Sequence, residues 1–237
     1  MINTLNESQL HRQLKILYSA NSPESISEAQ TGNFIADILE KDGSIIEIQT
    51  GSISSLRKKI LFCIEKKRKI KVVYPLSVNK TIETKDDDKI IIRKSPIHKD
   101  ILSLMREVTG IYDLLLNPYF TLEVLNVSII EERKRTESPV QTKNKRRRFP
   151  KNWIKTGKRL EKIISKETFH GKKSWKNLLP STLKEEWTIK NLSEELTENG
   201  IKSDCEKTRI MVWLYTKMGL IEECGKSGKS KLYRIKK

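Results

Sequence analysis

Apolar residues recur along the first half of the chain at two spacings, and each change of spacing marks a new element. Over residues 5–18, Leu10, Leu14, Leu17 and Tyr18 fall on one side at helical intervals. Glu7, His11 and Lys15 recur every four residues and form a row along the edge of that face. Alternation then takes over. Asp37-Ile38-Leu39 and Ile45-Ile46-Glu47-Ile48-Gln49 flank the turn residues Lys41-Asp42-Gly43, which predicts a hairpin that folds Asp37 beside Glu47. Glu47 and Gln49 share one face of their strand, and Ile46 and Ile48 the other.

Helical spacing returns over residues 52–66, where Ile53, Leu56, Ile60, Cys63 and Ile64 make a buried stripe with Arg57 inside it and Lys59 at its margin. Ile70-Lys71-Val72-Val73-Tyr74-Pro75 is a strand of the kind buried between helical layers. A hairpin is expected from Thr81–Thr84 and Lys89–Arg93, with Asp86-Asp87-Asp88 as a solvated tip rather than a metal site. A helix over 98–108 and a strand over Thr121–Val127 follow. Alternating strands and helices predict a mixed α/β sheet.

The pattern fades beyond that point. From Arg133 to Pro150 apolar residues nearly vanish, which predicts a linker over 133–150. It carries the run Lys143-Asn144-Lys145-Arg146-Arg147-Arg148, whose Lys145, Arg146, Arg147 and Arg148 are candidate phosphate contacts. Residues 151–237 are expected to hold a basic helical segment and then a small helical unit. Thr188 would cap a helix ending at Gly200, and Ser203 with Glu206 matches a capping box opening a second helix through Ile210, Met211, Trp213, Leu214 and Met218. Leu220–Cys224 and Lys231–Ile235 then form a hairpin around Gly225–Ser230.

Charge separates the two halves. Met1–Glu132 carries 18 Lys and Arg against 18 Asp and Glu, and Arg133–Lys237 carries 29 against 12, so the whole net charge of +17 lies in the second part. Clustered cations of this kind gain affinity for nucleic acid by releasing counterions from phosphates. The bland alternative is a lysine-rich composition inherited from an AT-rich genome. No apolar run approaches the roughly 20 residues of a membrane span, and the amino terminus has no signal-peptide core, which predicts a cytoplasmic protein with no membrane partner. Cys63, Cys205 and Cys224 are isolated and odd in number, as reduced thiols are, and no zinc spacing is present.

Asp37, followed ten residues later by Glu47-Ile48-Gln49 in a helix, strand, hairpin, strand, helix, strand order, resembles the PD-(D/E)xK, or restriction-endonuclease-like, nuclease superfamily over residues 1–132. The resemblance implies a mixed sheet flanked by helices and hydrolysis of phosphodiester bonds with Mg²⁺ or Mn²⁺ held by Asp37 and Glu47. Gln49 stands where the family has lysine, and Ala36 where it has proline. Gln49 would orient the attacking water, and Arg57 or Lys59 would supply the missing cation from the following helix, as happens elsewhere in the family. The family's first helix often adds an acidic residue, which makes Glu7 a candidate and Glu28 its rival.

The carboxy-terminal sixty-odd residues resemble a winged helix-turn-helix. That likeness implies a nucleic-acid partner, DNA foremost, reached by Lys207 and Arg209 on the second helix and by Lys226 and Lys229 on the wing. A homodimer is left open. Two other classes stand beside the nuclease: a non-catalytic DNA-binding regulator that keeps the scaffold, and a protein-interaction adaptor whose charge is incidental.

Overall fold

The structure is a computed structural model and describes residues 7–142 and 148–236. Three elements build its first edge. Helix α1 (Gln9–Ala20) starts at Ser8, whose side chain accepts from the His11 backbone N–H at 3.2 Å. Strands β1 (Ile26–Thr31) and β2 (Phe34–Leu39) pair antiparallel, and β2 turns back into β3 (Ile45–Ile48), also antiparallel. That turn places Gly43 at φ +80°, a conformation glycine adopts without a Cβ clash.

A short 3₁₀ turn, Ile53–Leu56, leads into α2 (Arg57–Glu65). Strand β4 (Ile70–Asp86) then lies parallel to β3 through its first residues and forms a hairpin with β5 (Lys89–Lys94) through its last. Helix α3 (Ile101–Val108) crosses back to β6 (Phe120–Val140), parallel to β4, and β6 pairs antiparallel with β7 (Lys151–Phe169). The sheet order is β1-β2-β3-β4-β6-β7, with β5 attached to β4. The result is a mixed central sheet with helices on both faces.

Strand alternation decides which layer each residue enters. On one face Ile38, Ile46, Ile48, Val73, Leu125 and Val127 pack under Leu10 and Leu14 of α1. On the other, Ile45, Val72, Tyr74, Leu122 and Val124 meet Ile60 and Cys63 of α2 and Leu104, Met105 and Val108 of α3. Leu10 and Leu14 are fully buried, and each such side chain contributes about 2 kcal/mol.

The carboxy-terminal part comprises α4 (Gly171–Lys176), α5 (Ile189–Glu198), α6 (Cys205–Lys217) and a two-stranded sheet of β8 (Ile221–Ser227) and β9 (Ser230–Ile235). Thr188 caps α5 in a capping box with Asn191, and Gly200 follows at φ +81°, as expected. The cap of α6 is Asp204, which accepts from the Lys207 N–H at 2.8 Å, in place of the predicted Ser203 and Glu206 box. Ser203 instead shares its hydroxyl with Thr208 at 2.8 Å. Trp175, Trp187, Met211, Leu214 and Tyr215 belong to the same apolar cluster as the α2 and α3 face of the sheet, so one core runs through both parts.

Two expectations are corrected here. Arg133–Val140 is not a linker but the outer end of β6, and Lys151–Phe169 is a strand instead of a basic helix. Both lie in a long ribbon whose outer residues are largely exposed, so hydrogen bonding between strands holds it with little burial to pattern the sequence. Lys145, Arg146 and Arg147 lie outside the described residues. Among the described residues no helix is long and apolar enough to cross a membrane.

Candidate active site

The β2–β3 hairpin opens at its most polar point. Its ladder pairs Leu39 with Ile45 and Ile38 with Ile46, and stops before Asp37 and Glu47. There the two carboxylates replace the backbone partners. Asp37 Oδ2 accepts from the Ile48 N–H at 2.8 Å, and Glu47 Oε1 accepts from the Asp37 N–H at 3.2 Å. Both side chains are thereby fixed beside each other, as the hairpin prediction required. On the far side of β2 the β1 ladder also skips Glu28, which lies opposite Asp37 and has φ +55°. A left-handed glutamate costs on the order of 1 kcal/mol, and its ion pair with Lys15 at 2.7 Å helps to hold it.

Neighbouring helices bring charge to this pair from both faces. From α1, His11 places Nε2 3.2 Å from Asp37 Oδ2, and its Nδ1 contacts Glu7. Glu7 also meets Lys15 at 2.9 Å. From α2, Lys59 Nζ donates to Glu47 Oε2 at 2.6 Å and to the Ile35 carbonyl at 2.7 Å. The Glu47 side chain is 4% exposed and that of Lys59 13%, so this ion pair is shielded from water.

These contacts push the titrations apart. Burial raises the Glu47 pKa, and the nearby charge of Asp37 adds to it against the pull of Lys59. Burial works the same way on Asp37, but His11, the Ile48 N–H and Lys59 outweigh it and lower its pKa. His11 loses hydration too, yet Asp37 and Glu7 overcome that loss and raise its pKa. A histidine between two carboxylates donates from both ring nitrogens, which is the imidazolium form. Two adjacent carboxyl groups with divergent pKa values are a recurrent acid–base arrangement.

Carboxylates outnumber cations around the hairpin. Glu7, Glu28, Asp37 and Glu47 face Lys15, His11 and Lys59, so the network carries an excess of negative charge even with His11 protonated. Among the described residues no group of three or more His, Cys, Asp or Glu side chains is placed to hold a metal ion.

Other candidates are placed elsewhere. Gln49 turns into the following loop, donating to the Ser52 carbonyl at 2.5 Å and to Ser55 Oγ at 2.6 Å. Arg57 forms a bidentate pair with Asp113 at 2.6 and 2.7 Å and a bond to the Gly110 carbonyl at 3.0 Å. It braces α2 against the loop before β6. Glu7 joins the site through His11. The sequence alone signals this role for His11 only through its position four residues after Glu7.

Among the basic residues, Lys207 meets Asp100 at 3.3 Å, where α6 approaches α3, and Arg209 borders a shallow apolar groove with Arg106, Ile210 and Trp213. Lys226 and Lys229 are exposed at the β8–β9 tip. Arg148 is exposed beside Phe149, with its guanidinium 5.3 Å from the ring centre.

No solved structure matches this chain. An uncharacterized protein of Treponema pallidum (strain Nichols) is 29% identical over 237 aligned residues, covering 98% of this chain and 87% of the relative. Residues 8–170, from the start of α1 to the end of the β6–β7 ribbon, match the domain of unknown function DUF8091. With more than half of its length inside that match, the chain belongs to the DUF8091 family.

Proposed function

We propose that the protein is a metal-dependent nuclease that hydrolyses phosphodiester bonds of nucleic acid, DNA foremost, on a PD-(D/E)xK-like scaffold. The observation that carries this reading is the approach of Lys59 to Glu47 at 2.6 Å, beside Asp37. It assembles two carboxylates and a lysine from β2, β3 and α2, with the lysine on the helix instead of at Gln49. A bound Mg²⁺ or Mn²⁺ would neutralise phosphate charge and lower the pKa of an attacking water. Asp37 and Glu47 would hold it. Lys59 would steady the Glu47 carboxylate and add positive charge next to the developing phosphorane. His11, fixed by Glu7, would orient Asp37. The α5, α6 and β8–β9 unit would act as a winged helix, with Lys226 and Lys229 of its hairpin on the phosphate backbone.

A second reading, a nucleic-acid-binding regulator without catalysis, draws on the engagement of Gln49 with Ser52 and Ser55, which leaves the family's usual lysine position turned away from Asp37 and Glu47. Incubation of labelled single-stranded, duplex and branched DNA with Mg²⁺ or Mn²⁺ separates the two. Cleavage abolished by EDTA and by Glu47→Ala is expected for the nuclease. Binding without cleavage on every substrate would favour the regulator.

A further inference from the structure

A second charged cluster lies on the sheet beyond Gln49. Its cavity, of about 150 Å³, is bordered by Lys80 of β4, Lys99 of the loop before α3, and Lys155 and Lys158 of β7, with Thr50 and Tyr74 among the remaining walls. Sheet geometry explains the convergence. Glu131 of β6 is the cross-strand partner of Lys158, and it also pairs with Ile82, two residues from Lys80 and therefore on the same face. A register shift opposite Glu132 and Arg133 inserts an extra residue into β7. Such a bulge brings Lys155, three residues before Lys158, round to the same side.

The charges in this cluster do not balance. Glu131, the acidic residue of the cavity wall, is already engaged by Arg133 and lies 3.6 Å from Lys80 and 3.7 Å from Lys155. Lys99 has Glu107 at 3.3 Å. Five cations thus share two carboxylates, and among the described residues none of these ion pairs reaches Lys158. Its ammonium is strained accordingly: burial, then the charges of Lys155 and Lys99, bring its pKa down to about 8.

We infer that this cavity is a phosphate-binding site, in which Lys80, Lys99, Lys155 and Lys158 converge on the oxygens of one phosphate group. An oxyanion supplies the missing negative charge and accepts several ammonium hydrogen bonds at once. Both a free phosphate and a backbone phosphate of nucleic acid have this chemistry. The inference stands apart from the proposed hydrolysis, since it uses neither Asp37 nor Glu47.

Calorimetric titration of the full chain in EDTA, first with inorganic phosphate and then with a short single-stranded oligonucleotide, tests it. Saturable binding is expected for at least one probe. Lys158→Gln should weaken it roughly tenfold or more, the scale of a lost charged hydrogen bond, with Lys172→Gln as an exposed control that leaves it unchanged. Lys155→Gln, at a side chain 46% exposed, should give a similar loss without endangering the fold. Response to inorganic phosphate identifies free phosphate as a sufficient ligand; response confined to the oligonucleotide identifies the backbone. No saturable binding to either probe, or equal effects of Lys158→Gln and Lys172→Gln, would overturn the inference.

Discussion

The hairpin site around Asp37 and Glu47 and the lysine cavity of β4, β6 and β7 are both crowded with charge, yet they satisfy it differently. At the hairpin, carboxylates alternate with cations from α1 and α2, and each charged group has a partner within hydrogen-bonding or ion-pair distance. In the cavity the lysines outnumber the acids, and Lys158 is pressed against its own kind. Burial and the charge of Asp37 push the Glu47 pKa up, whereas His11, the Ile48 N–H and Lys59 outweigh burial and bring that of Asp37 down. Burial, then the accumulation of one sign, depresses Lys158, and an anion would relieve the unmatched charge. Each cation at the hairpin thus has a carboxylate partner, whereas the lysines of the cavity exceed its acids.

Removing Glu47 is the most severe test of the matched network. Glu47→Ala should abolish metal-dependent cleavage, measured as initial rate on labelled DNA, because the metal would lose one of its two carboxylates. It should also destabilise the fold by about 3 kcal/mol in urea titration, because Lys59 would keep a shielded charge without its partner. Lys59→Met should lower cleavage too. Full activity in either variant would detach the hairpin from catalysis.

The exposed cations at the β8–β9 tip should behave as additive phosphate contacts. Replacing Lys226 and Lys229 together by alanine should weaken DNA binding and make the dependence of log K on log salt shallower by about 1 per lysine. An unchanged slope would remove the hairpin from the interface.

Protonation gives a subtler test. The folded His11 pKa is raised, so its contribution to stability is fully present below its ordinary value of 6.5 and is lost as pH rises through the folded value. Asp37 has the opposite sign: its contribution is present above 3.8 and is lost as pH falls through its lowered folded value. Subtracting the stability of His11→Gln from that of the wild type, by urea unfolding from pH 5 to 9, should give a difference that shrinks toward high pH. A difference independent of pH would mean that the imidazolium is not the stabilising form.

The smallest effect is expected at Arg57. Its side chain and that of Asp113 are each 39% exposed, so Arg57→Ala should cost no more than about 1 kcal/mol and leave cleavage intact. A large catalytic loss would return Arg57 to the site and weaken the case for Lys59.

Several features were legible before folding because their causes are local. Asp37 and Glu47 meet because a tight turn between alternating strands brings their side chains together, and the row of Glu7, His11 and Lys15 follows from helical periodicity. Thr188 and Gly200 mark the ends of α5 through backbone preferences that need no distant partner. The outer half of the β6–β7 ribbon is not legible in the sequence, because it buries few side chains and so leaves no apolar period.

By itself, then, the sequence determined the order of most elements, the carboxylate pair and the concentration of positive charge in the second part. Tertiary structure decided which helix cation reached Glu47. Arg57 and Lys59 are two residues apart on one helix, and only packing could send one to Asp113 and the other to Glu47. It also assembled the lysine cavity, whose members span residues 80 to 158 and converge through strand register and a bulge. Local preferences act over a few residues, whereas the meeting of distant side chains depends on how the whole sheet is paired.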